Sequence, residues 1–222
     1  MQPKILKVIT IFLMLAGGFS FSAKKASAQD RPPLFFREDW KETPTASPVT
    51  QEHVANKELV LTLHGPGKLG IRKSHHDEPA DDPYYIWSGE AEGNWAVSLR
   101  HTTNYVDLRG QSRIRWRAKQ AGFRFLRPII KLASGEWLVA DGYDDASGDW
   151  REREFIVADL IWRRLDIEKV IEGRIVRAPD LSRVVEIGFT DLMTGGRSDA
   201  CSRLDWIEVW GKPIAQTGQM TK

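Results

Sequence analysis

Ser112-Arg-Ile-Arg-Trp-Arg-Ala-Lys119 is the stretch that decides the fold. Ile114, Trp116 and Ala118 alternate with Arg113, Arg115 and Arg117 without a slip. Successive side chains leave a strand on opposite faces, so one face here is apolar and the other is a row of guanidinium groups. The period is two, not the 3.6 of a helix.

The same period recurs on both sides of this segment. Leu59 to Leu63 is a compact run closed by the turn cluster His64-Gly65-Pro66-Gly67. Asn94 to Arg100, Glu136 to Ala140, Trp150 to Val157, Val184 to Thr190 and Arg203 to Trp210 all read as strands. So does Phe123 to Leu132, with Pro128 expected at a bulge or edge. Only Ala158 to Val170 suits a helical turn or two. About nine or ten strands separated by Gly, Pro and Asp turns predict an all-β fold, an antiparallel β-sandwich or jelly roll. A parallel sheet needs helical crossovers, and the connections are too short for them. No repeat at a propeller or solenoid period is present.

The first residues stand outside this pattern. Lys4 and Lys7 precede the apolar run Val8 to Phe21, and Ala26-Ser27-Ala28 supplies small residues at a cleavage site. Residues 1–28 are therefore read as a signal peptide cut before Gln29, because a membrane anchor needs about 20 apolar residues. That reading makes the protein secreted or periplasmic. A single domain is expected over 29–222, with its core at about 34–212. Of the 32 Lys and Arg, four lie in this leader (Lys4, Lys7, Lys24, Lys25) and none of the 30 acids does, so the remainder is net acidic. Nothing in the charge calls for nucleic acid or an anionic membrane. Cys201 is the only cysteine, so no internal disulfide forms, and a small buried residue is expected there.

Three further segments carry a resemblance. Tyr105-Val106-Asp107-Leu108-Arg109-Gly110 leads into the Ser112 strand, Asp149-Trp150-Arg151 follows, and Leu204-Asp205-Trp206-Ile207-Glu208-Val209-Trp210-Gly211 closes the series. In order and spacing they resemble the galactose-binding-like jelly rolls, among them carbohydrate-binding modules and the complex I intermediate-associated family. The resemblance spans about half of the chain and implies carbohydrate or protein binding rather than a defined reaction, since this fold hosts many activities. It also implies a structural calcium, for which Glu38, Asp39, Asp107 and Asp205 are the candidate ligands. Turn formation and capping are the plainer roles for those four acids. No cofactor is required by the sequence.

Sugar rings stack on aromatic faces and their hydroxyls seek carboxylates. Two segments combine these types. One supplies Tyr84, Tyr85 and Trp87, and the other supplies Trp137, Asp141, Tyr143, Asp144 and Asp145. Trp95, Trp116, Trp150 and Trp206, four of the nine tryptophans, are expected in the core because each alternates with polar neighbours. The arginine row of Arg113, Arg115 and Arg117, with Arg151 and Arg153 further on, suits either an acidic polysaccharide or cross-strand pairing with Glu152, Glu154 or Glu186. His64, His75, His76 and His101 lack zinc-ligand spacing.

A glycosidase needs two carboxylates facing one cleft. Asp205 and Glu208 are three apart, so a regular strand sends them to opposite faces unless a bulge intervenes. No G-x-S-x-G elbow is present. The reading is a secreted, non-catalytic carbohydrate-binding domain. Its alternatives are a glycan hydrolase or lyase and an extracytoplasmic protein-interaction scaffold.

Overall fold

The computed structural model describes residues 31–89, 91–193 and 200–216. The expected leader, with its cleavage after Ala28, lies outside the described residues. The strands follow from the alternation. They are β1 (Leu34–Glu38), β2 (Leu59–His64), β3 (Arg72–Ser74), β4 (Tyr85–Trp87), β5 (Ala96–His101), β6 (Asn104–Asp107), β7 (Arg113–Gln120) and β8 (Arg127–Leu132). After them come β9 (Trp137–Ala140), β10 (Arg151–Ile156), β11 (Trp162–Asp166), β12 (Ile171–Val176), β13 (Val184–Thr190), β14 (Ser202–Trp210) and β15 (Lys212–Ala215).

Every pairing is antiparallel, and the strands form two sheets. A six-stranded sheet runs β10-β7-β14-β4-β3, with β1 also paired to β14. A nine-stranded sheet runs β12-β11-β9-β8-β13-β5-β2, with β6 on β13 and β15 on β6. The inner faces enclose one apolar cluster. Ile114, Trp116 and Ala118 of β7 meet Val97, Leu99, Ile130, Leu138, Trp162, Ile187 and Phe189 of the other sheet within that cluster. The architecture is the predicted antiparallel β-sandwich of jelly-roll type, since neither sheet can bury its greasy face except against the other.

The segment Ala158 to Val170 departs from expectation. It holds a short 3-10 turn at Val157–Asp159 and then β11, not helix. Trp162 packs into the main core, whereas Leu165 joins a separate cluster on the outer face of the nine-stranded sheet. The two large apolar residues are three apart, so ordinary strand alternation sends them to opposite faces, whereas in a helix the same spacing would put them on one side. Cys201 is buried, as expected.

Candidate functional site

The outer face of the six-stranded sheet is organised by one irregularity in β14. Leu204 lies opposite Ala118 and Trp206 opposite Arg117, so Asp205 is the extra residue of a bulge. From there Ile207 and Val209 face the core, while Trp206, Glu208 and Trp210 face outward with Arg117, Arg115 and Arg113. Trp206 is buried, as expected, but the bulge puts it on the outer side of this sheet and not in the cluster between the sheets. Its ring lies against guanidinium groups, with Arg37 at 4.3 Å and Arg115 at 5.4 Å from the ring centroid. The bulge also sends Asp205 and Glu208 to the same face, which a regular strand forbids.

The face continues across the sheet. Arg113 lies 4.5 Å over Trp210 and Arg117 lies 5.6 Å over Trp150. Trp150 is half-buried just before β10 and meets Tyr85 edge-on at 5.2 Å. That contact places Trp150, too, outside the core. Arg72 and Arg203 each sit 5.9 Å from Trp87. Trp87, Trp150 and Trp210 keep part of their surface in solvent, whereas Trp95 and Trp116 are core as predicted.

Carboxylates hold these arginines in register. Arg37 donates to Asp39 at 2.8 Å and to Glu208 at 2.6 Å. Arg117 donates to Asp205 at 2.7 Å, Arg115 pairs with Glu152, and Arg113 lies 3.3 Å from Glu154. The expected cross-strand pairing with Glu152 and Glu154 is present, but Glu186 pairs with Lys131 on the other sheet. Burial pushes the Asp205 carboxyl above its ordinary pKa, with the Arg117 bond opposing. The Arg37 guanidinium is held above its ordinary value, chiefly by its bond to Asp39. The face thus offers donor and acceptor side by side at fixed points. A vicinal diol uses both, because each hydroxyl donates to a carboxylate and accepts from a guanidinium.

The residues expected to bind ligand fall into three places. Tyr85 and Trp87 belong to the face just described, although Tyr85 is buried and its hydroxyl lies 3.3 Å from His76 Nδ1. Tyr84 lies beside it, stacked on His75 at 4.0 Å with the Lys73 ammonium 4.3 Å from its ring. Trp137 is on the nine-stranded sheet and is buried, so it offers no open ring. Asp141, Tyr143, Asp144 and Asp145 occupy the β9–β10 connection. Asp141 accepts from the Ile161 amide at 2.8 Å. Asp144 is 1 % exposed and is consumed by Trp116 Nε1 and Arg151, so it anchors the core and is not a hydroxyl contact. Asp145 also pairs with Arg151, whose hydrogen bond lowers its pKa. Tyr143 is exposed and packs edge-on to Phe125 at 5.0 Å. The two predicted segments do not make one patch.

The calcium set is not assembled. Glu38 is fully buried and accepts the amides of Trp40, Ala55 and Asn56 at 2.9, 2.7 and 2.9 Å. It clamps a loop, and burial raises its pKa against those bonds. Asp39 and Asp205 are taken by Arg37 and Arg117, and Asp107 on β6 belongs to the other sheet, bound to Arg109 at 2.9 Å. Among the described residues no group of three or more His, Cys, Asp or Glu is placed to hold a metal ion. Among them, too, no helix is long and apolar enough to cross a membrane.

No protein-family model and no curated protein matches this sequence. Among solved structures, the chain is similar to a family 11 carbohydrate-binding module from Clostridium thermocellum in complex with a β-1,3-1,4-mixed-linked tetrasaccharide. The identity is 14 %, the TM-score 0.46, and the match covers 78 % of this chain and 98 % of that one. It is also similar to a family 29 carbohydrate-binding module from Piromyces equi, at 13 % identity and a TM-score of 0.43 over 80 % and 91 % of the two chains. A third is an exo-β-agarase, at 10 % identity and 0.43 over 73 % of this chain and 24 % of that one.

Proposed function

We propose that the outer face of the six-stranded sheet binds a carbohydrate chain, and that the protein is an exported, non-catalytic binding domain. One observation carries this reading. Trp87, Trp150 and Trp210 lie partly open on one sheet face, among guanidinium–carboxylate pairs fixed by hydrogen bonds. Indole rings suit the C–H faces of sugars, and the paired ions suit their hydroxyls. Trp87 and Trp150 are the residues on which binding rests, with Arg117 and Arg203 beside them. Removing either ring is expected to weaken binding about three- to tenfold, the worth of one aromatic contact. Affinity electrophoresis in gels containing cellulose derivatives, mixed-linkage glucan, xylan, agarose or pectin measures it. No retardation by any polysaccharide would favour the protein-scaffold reading instead. Export belongs to the same proposal, and the N-terminus of the exported protein is expected at Gln29.

A second reading is favoured by the bulge. Asp205 and Glu208 share this face, and burial raises the Asp205 pKa as a general acid requires. Sugar release from a bound polysaccharide, lost in Asp205→Asn, would establish a hydrolase.

A further inference from the structure

The turn His64-Gly65-Pro66-Gly67, which ends β2, builds a second concavity at an edge of the nine-stranded sheet. Gly65 has φ +85°, and a Cβ there would lie 2.5 Å from both the Asn94 carbonyl oxygen and Val170 Cγ2. At Gly67 a Cβ would lie 2.2 Å from the Gly93 carbonyl oxygen. Only glycine lets these backbones approach so closely. Asn94 Nδ2 then donates to the Val170 carbonyl at 2.8 Å and ties in the β11–β12 turn. The three segments surround a cleft of about 830 Å³, within the size range of small-ligand sites.

His64 lines this cleft and is held from below. Lys131 Nζ donates to Glu186 at 2.9 Å, and the Ser98 hydroxyl donates to the other Glu186 oxygen at 2.7 Å. A carboxylate only accepts, so the single Ser98 proton is spent on Glu186. Ser98 Oγ, 2.9 Å from His64 Nε2, must therefore accept from Nε2–H. The neutral ring is left with a lone pair on Nδ1, which no other described residue engages. Burial, which lowers the His64 pKa, favours that neutral form. The edge of Trp137, 5.0 Å away, fixes the ring plane.

We propose that this cleft is a second ligand site, taking a neutral polyhydroxylated molecule of about one sugar unit with a hydroxyl donating to His64 Nδ1. Pro66, Leu69 and Ile171 supply an apolar wall for its C–H face. Lys68, Lys169, Glu92 and Glu168 line the same cleft in balanced charge, which suits hydroxyls better than an ion of either sign. The site stands apart from the aromatic face and does not depend on that reading.

Long-range ¹H–¹⁵N spectra of the labelled full domain read the His64 tautomer directly. The Nε2–H form is expected, and an Nδ1–H form overturns the proposal. Methyl β-glucoside, methyl β-galactoside, N-acetylglucosamine and myo-inositol are then titrated in. A saturable shift at His64 Nδ1 and the Leu69 methyls with at least one of them is expected, and none with any of them overturns it. His64→Phe is expected to weaken that binding about tenfold, the worth of one well-placed hydrogen bond. Should that variant not fold, Leu69→Ala, on a side chain 67 % exposed, is expected to weaken it severalfold. Unchanged binding in the folded variant overturns the assignment. Trp87→Ala should leave the His64 response intact, and loss of the response there would mean that one site had been counted twice.

Discussion

The two outer faces of the sandwich start from the same materials and end differently. On the six-stranded sheet, Trp87, Trp150 and Trp210 remain partly in solvent, each beside an arginine side chain. On the nine-stranded sheet, Trp137 also points outward, yet it is buried in a second apolar cluster with Ala96, Ile129, Val139, Leu165 and Val170. The difference lies in what the chain lays over each sheet. The β11 strand and its turn to β12 bring Leu165 and Val170 over the nine-stranded sheet. Over the other sheet the rings lie among arginines, several of them ion-paired. An outward tryptophan is thus left open or made part of a small core according to a connection far away in sequence.

Leu165→Ala should break this contrast most strongly. It opens a cavity in the small cluster and is expected to cost about 2–4 kcal/mol in denaturant unfolding, with a red shift of Trp137 emission. Lys73 sharpens the contrast from the inner side of the open sheet, where it pairs with Ile86. It is fully buried, its ammonium has a tyrosine ring for company, and burial lowers its pKa to about 8. The folded pKa lies below the unfolded one, so the charging cost is present in full below pH 8 and is relieved as pH rises towards 10.5. Lys73→Met is therefore expected to stabilise the fold by about 1–3 kcal/mol at neutral pH, with the advantage fading in that alkaline window. Thermal unfolding of both proteins against pH checks it.

Trp206→Ala removes a ring held between Arg37 and Arg115 and is expected to cost about 1–2 kcal/mol, less than Leu165→Ala despite the larger side chain. Equal losses would mean that the guanidinium layer packs as tightly as the small apolar cluster. Arg113→Ala breaks a part-exposed pair with Glu154 and the contact with Trp210, and should change stability by no more than about 1 kcal/mol. A drop of several kilocalories there would show that the arginine row acts as one cooperative network.

Where the period of two ran unbroken, sequence and structure agree. Arg113 to Lys119 and Leu59 to Leu63 are strands, and their apolar sides are core. A bulge accounts for one of the misplacements, since the one at Asp205 turned Trp206 to the outer side of its sheet, while apolar residues three apart on β11 read as a helical turn although they serve two different clusters. A bulge adds a residue without changing composition, so alternation cannot reveal it. The short strands β3 and β4 are not among the expected strands, because three residues carry too little period to register. Asp144 is legible as a turn acid but not as the partner of Trp116 Nε1, a contact made between distant strands.

Local chemistry alone determined that this chain pleats, which strands pair their greasy sides inward, and that arginines line the outside of one sheet. Alternation is a property of neighbouring residues, and neighbouring residues are what a sequence displays. Which tryptophans stay open, which carboxylates arginines capture, and that His64 stands over Ser98 and Glu186 were decided only when distant segments met. Those outcomes depend on bulges, on glycine turns that admit close approach, and on which loop covers which sheet.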